Sequence, residues 1–172
     1  MFKVVIRNSL VLLVLMTLLA SYAEAQKRRK AAVKSDSAAT VEINQAVDKV
    51  SLQLMNVARF IYVLGGVAKE LETIDQEAKK GQLSKAIIDK NEEFKQKVIK
   101  SIRDLRIGLA ALEAEFRANP KLSPYISSLI GVTDDCNFAE EQAASGDFIQ
   151  SGRTLLMVIE KLTNTLAAMA KK

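Results

Sequence analysis

From Val41 onward the chain alternates apolar and polar positions with the period of a packed helix. Ile43, Val47, Val50, Leu54, Val57, Ile61, Leu64, Ala68 and Leu71 recur at steps of four and three. That 3.5-residue period is the seam of a coiled coil or helical bundle. Asp75 interrupts the series and Ala78 resumes it. The pattern predicts one helix of about 40 residues, ~60 Å long at 1.5 Å per residue. Thr40 is its candidate N-cap. Lys79 and Lys80 suit the negative end of a helix dipole, and Gly81 supplies a left-handed stop.

A second helix is expected from about Leu83 to Ala118. Its seam reads Ile87, Phe94, Val98, Leu105, Leu109, Leu112 and Phe116, with Ile102 alongside. Asn91 and Ser101 occupy seam positions with polar side chains, so this stripe is less clean than the first. Glu93–Lys97 and Glu113–Arg117 are i,i+4 pairs in the favoured order, worth a few tenths of a kcal/mol each. Asn119-Pro120 ends the helix. The short link around Gly81 forces these two helices into an antiparallel hairpin.

Ser123-Pro124 reads as an N-cap followed by proline at the first helical position. The third helix should cover Pro124 to Ala144, with Gly131 and Thr133-Asp134 as candidate breaks. Ser145-Gly146-Asp147 is the next stop, and Asp147 to Gln150 resembles a capping box. The fourth helix has the seam Phe148, Gly152, Leu155, Ile159, Leu162, Leu166 and Met169. The expected fold is all-α: an up-down-up-down four-helix bundle over residues 41–172 with a long N-terminal antiparallel helical hairpin. The first two helices exceed the last two by roughly 15 residues, ~20 Å of helix. Part of the Val41–Leu71 seam therefore lacks an obvious cover within one chain: either a second copy covers it as a homodimer, or the third helix with its short first turn is long enough to cover most of it.

Composition supports this architecture. Apolar residues make up 49% of the chain, aromatics only 5%, and there is no Trp. Leu, Ile, Val and Ala suit helix packing better than a sheet sandwich. Two prolines and seven glycines in 172 residues leave long elements uninterrupted.

The first 25 residues follow a different pattern. Lys3 and Arg7 precede the apolar run Leu10–Ala20, and Ala23-Glu24-Ala25 places small residues at −3 and −1 of a cut before Gln26. This is the layout of a secretory signal peptide, cleaved between Ala25 and Gln26. The run is short for a membrane span, which takes about 20 residues. The expected location is exported, periplasmic or secreted, with no stable span after cleavage.

Charge changes the picture once it is located. Seven of the 25 Lys and Arg, and two of the 20 Asp and Glu, fall in the first 40 residues, so residues 41–172 balance at 18 of each. The net charge of +5 therefore belongs to the leader and to residues 26–40, a flexible basic arm containing Lys27, Arg28, Arg29 and Lys30. A nucleic-acid partner would call for cations clustered on the folded domain, so it is not expected. The arm instead suits an anionic envelope surface or an ordinary solvated linker.

Candidate chemistry is sparse. The chain has no histidine, which removes the commonest acid–base group and transition-metal ligand. No phosphate loop or nucleophile elbow is present. No catalytic residue, cofactor or metal site is assigned. Asp134, Asp135, Glu140 and Glu141 form an acidic group whose expected role is at the surface, with a hard cation as the alternative. Cys136, the lone cysteine, has acidic neighbours that oppose thiolate formation. It is expected to be a partly buried structural thiol, with an interchain disulfide or a redox role as alternatives. The stretch Val57–Ala68 is wider than a seam: Phe60, Tyr62 and Val63 add apolar surface, and Gly65-Gly66 permits a kink or a close helix approach. It is either mid-bundle core or a binding face. The expected function is a non-enzymatic, exported helical-bundle protein acting through protein or envelope-surface contacts. The alternative is a periplasmic carrier or holdase-type chaperone for apolar ligands or unfolded chains.

Overall fold

The structure is a computed structural model that describes the backbone of residues 2–171 and the side chains of residues 40–171. The leader expected at 1–25 and the arm at 26–39, including Lys27, Arg28, Arg29 and Lys30, lie outside the residues whose side chains are described. Five α-helices and one short 3-10 turn follow in order: α1 (Phe2–Lys79), α2 (Lys85–Ala118), the 3-10 turn Ser123–Tyr125, α3 (Ile126–Leu129), α4 (Val132–Ala144) and α5 (Phe148–Ala170). Backbone contacts divide the chain into two units, Met1–Glu42 and Ile43–Lys172. The second holds the core. Among the described residues there is no strand.

Thr40 lies inside α1 rather than capping it. Nothing local stops the helix there, because no glycine or proline precedes Gly65. At its other end the expected stop forms. The Gly81 amide donates to the Ala78 carbonyl and the Gln82 amide to the Glu77 carbonyl, with Gly81 at φ +70°. This paired closure satisfies two carbonyls the helix leaves orphaned.

α1, α2, α4 and α5 form the bundle, each antiparallel to the next. Lys49 of α1 bonds Glu115 of α2 at 2.7 Å, while Asp75 of α1 meets Asn91 and Lys95 of α2. Cys136 and Thr133 of α4 face Ile102 and Glu113 of α2. The Ile149 amide of α5 reaches Glu72 of α1. Every seventh residue of the first seam is buried: Val50, Val57, Leu64 and Leu71. Ile43, Val47, Leu54 and Ile61 pack half-buried beside them. The uncovered seam expected from unequal helix lengths does not occur there, because α5 comes against α1. Gly152 of α5 is the point of approach: a Cβ on it would meet Leu64 at 3.5 Å. Gly65 and Gly66 have nothing nearby, so they serve no close helix contact.

In α2 the core stripe is Ile102, Leu109 and Phe116, again seven apart, with Leu112. Ile102 is thus central rather than peripheral. Ile87 and Phe94, expected in the seam, are 45% and 47% exposed. The first half of α2 carries its apolar residues on two faces, and these belong to the face turned away from the core.

Gly131, at φ +77°, separates α3 from α4 as the break expected in the third helix. Ser123 does not cap an α-helix. It starts the 3-10 turn, and Leu122 precedes it as the cap. Two caps come from other helices. The expected capping box at Asp147 makes no side-chain bond, and Glu72 Oε1 accepts from the Ile149 amide at 2.8 Å instead. Glu113 does more than pair with Arg117 at 2.6 Å. It is buried and accepts from the Thr133 hydroxyl at 2.8 Å. Burial raises its pKa, but bonds from Arg117, Thr133 and the Gly131 and Thr133 amides outweigh this and hold the carboxyl below its ordinary range.

Candidate functional site

Two of the irregularities of the first two seams, Asp75 and Asn91, meet each other. Asn91 Nδ2 donates to Asp75 Oδ1 at 2.8 Å and to the Leu71 carbonyl at 3.4 Å. Lys95 Nζ lies 3.1 and 3.0 Å from the two Asp75 oxygens and 2.7 Å from Glu92. Burial lowers the Lys95 pKa, and its bonds to Glu92 and Asp75 more than reverse that. Asn91 is 4% exposed, and its Oδ1 has no hydrogen-bond partner among the described residues.

Asn91 of this polar lock also lines a groove on the open face of the hairpin. The groove runs between α1 from Arg59 to Ile74 and α2 from Ala86 to Ser101, with a volume of about 930 Å³. Phe60, Val63 and Val67 supply one apolar wall, and Ile87, Phe94 and Val98 the other. Val63 is 62% exposed and Val67 37%. Arg59, Lys90 and Lys97 stand along it with one carboxylate, Glu70. The Lys90 and Lys97 ammonium groups sit 5.8 and 5.4 Å from the Phe94 ring centroid, within cation–π range. Lys97 also pairs with Glu93 at 2.6 Å. Residues 40–79 of α1 form a helix long and apolar enough to cross a membrane by length and composition, with a window of mean hydropathy 1.4. Only 17% of that window is buried, so much of its apolar surface faces outward.

No known protein family, curated protein or solved structure matches this chain.

The structure separates the two expected interaction aromatics. Phe60 lines the groove. Tyr62 is 85% exposed and stands outside the lining. Arg59, Lys90 and Phe94 were missed as site residues. The available signal was a second apolar stripe, Phe60, Val63 and Val67, beside the seam. Heptad counting places Phe94 in the core.

The acidic group does not converge on one site. Among the described residues no three of these side chains are placed to hold a metal. Asp135 pairs with Lys161 of α5 at 2.7 Å. Glu140 is 9% exposed rather than a surface group. Its two oxygens take Arg103 Nε at 2.7 Å and Arg106 Nε at 2.8 Å, which ties α4 to α2.

Cys136 is fully buried and unbonded to another sulfur. Its Sγ lies 3.7 Å from the Ile102 carbonyl. Burial, reinforced by Glu140 and Asp135 and opposed by Arg106, pushes the thiol up to about 12. In the native protein at pH 8 it should not react with a thiol reagent, and in denaturant it should react fully. Native labelling at the rate of a free thiol would place it at the surface.

Proposed function

We propose that this chain is an exported, non-enzymatic helical-bundle protein that works by binding a partner on the open face of its α1–α2 hairpin. The observation that carries this reading is the groove itself. An apolar trough of about 930 Å³ sits on a protein whose core is already filled, and a helix face of that character normally marks an interaction site. The groove also supports the second reading, a carrier or holdase for apolar ligands. Export rests on the leader layout, Lys3 and Arg7 before Leu10–Ala20 and the small residues Ala23 and Ala25. Intact mass of the exported species should begin at Gln26. A full-length protein held in the membrane would contradict cleavage.

Binding is tested with an anionic apolar dye, anilinonaphthalenesulfonate. The native protein should give saturable enhancement. Val63→Asp should weaken it by about tenfold, the loss expected from one buried Val-sized contact of ~1.5 kcal/mol. Val63 is mostly exposed, so the melting temperature should hold. No enhancement above a cooperative-folding control, or enhancement indifferent to Val63→Asp, would remove the groove from the account.

A further inference from the structure

We propose that the groove takes an amphipathic helix with acidic flanks, supplied by a partner protein. This rests on the reading of the open hairpin face as a binding surface and names what covers it. Three observations select this occupant.

The first is shape. Two antiparallel helices, α1 and α2, frame the groove along about 15 residues each, ~22 Å. A trough between two parallel cylinders accepts a third cylinder, its apolar side chains at i, i+3, i+4 and i+7 entering between Val63 and Val67 on one side and Phe94 on the other.

The second is charge. The walls carry Arg59, Lys90 and Lys97 against Glu70, and Lys97 is already paired with Glu93 at 2.6 Å, so Arg59 and Lys90 supply the excess positive charge. Among the described residues neither Arg59 nor Lys90 is in a salt bridge, and the Lys90 ammonium lies by the Phe94 ring. Acidic residues flanking the apolar stripe of an incoming helix would meet these cations, and basic ones would be repelled.

The third is elimination by the same charge. A second copy docking face to face would gather the excess cations Arg59 and Lys90 of both copies on one face. The chain's own arm, with Lys27, Arg28, Arg29 and Lys30, has the same sign as the rim.

The test uses two synthetic 18-residue helical peptides with identical leucine stripes, one flanked by Glu and one by Lys, titrated against the exported protein by fluorescence anisotropy. The Glu peptide should bind at least about tenfold tighter at low salt, with the gap narrowing as salt screens the rim. The double charge reversal Arg59→Glu with Lys90→Glu should invert that preference. Val63→Asp should weaken both peptides. Each variant is checked by an unchanged melting temperature. Equal affinity for the two peptides, or a preference that survives charge reversal, would overturn the acidic helix. So would dye binding sensitive to Val63→Asp without any peptide binding, which points to a small amphiphile. A concentration-dependent dimer dissociated by Val63→Asp would overturn it in favour of a second copy. These last two outcomes leave the groove as the binding face. If neither dye nor peptide responds to Val63→Asp, the functional reading itself fails.

Discussion

Phe116→Ala is expected to lower stability by about 3–5 kcal/mol, the cost of truncating a buried aromatic. Phe116 is fully buried and among the largest such side chains. It ends the stripe Ile102, Leu109, Phe116 that α2 presents to the core, and it lies in one cluster with Leu122 and Leu129. Those residues are carried by the irregular link and α3, where the chain reverses before α4. A cavity there would open the end of the bundle that has the least regular backbone to close it. Urea denaturation should show a lower midpoint with an unchanged slope. A loss below about 0.5 kcal/mol is the scale of a surface substitution and would place the ring outside the core.

Glu140→Gln has the second largest expected effect, about 1–2 kcal/mol at pH 7. Glu140 is buried and receives one guanidinium on each oxygen. Burial raises its pKa, and the bonds and charges of Arg106 and Arg103 more than offset that, so the carboxyl ionises below its ordinary value. The cost stays below that of a fully buried pair because Arg103 is 54% exposed and water screens its share. A depressed pKa gives stability that is present above the unfolded value near 4.3 and is lost as pH falls through the folded value. The penalty should therefore be full at neutral pH and shrink as pH falls below about 4.3 and through the lower folded value. A penalty constant across that range would mean that Glu140 acts through packing and not through charge.

The core was legible where a single apolar stripe served a single partner face. Val50, Val57, Leu64 and Leu71 in α1, and Phe148, Leu155, Leu162 and Met169 in α5, follow the heptad and are buried. Helix ends were legible where backbone conformation demands a particular residue, as at Gly81 and Gly131. Reading failed where one helix carries two apolar faces. Phe94 sits seven residues after Ile87 and four before Val98, so heptad counting assigns it to the core, yet α2 turns that face outward. Period alone records which residues share a face, and the partner of that face is set by distant chain. The same limit hid Glu72 capping α5 and Glu113 holding the start of α4. Both caps are separated from their targets by many residues, and local spacing carries no trace of them. Asp75 and Asn91 stood out as interruptions of two seams. Only the hairpin's register shows that they answer each other.

The central claim is that the open face between residues 59–74 of α1 and 86–101 of α2 is where this protein binds. The most direct test is an amide nuclear magnetic resonance spectrum of the isotope-labelled protein, recorded while anilinonaphthalenesulfonate is titrated in. The account predicts saturable shifts concentrated on Val63, Val67, Lys90 and Phe94, with α4 and the buried face of α5 unmoved. Shifts centred on α4 and α5, or none at concentrations that saturate the dye fluorescence, would contradict it.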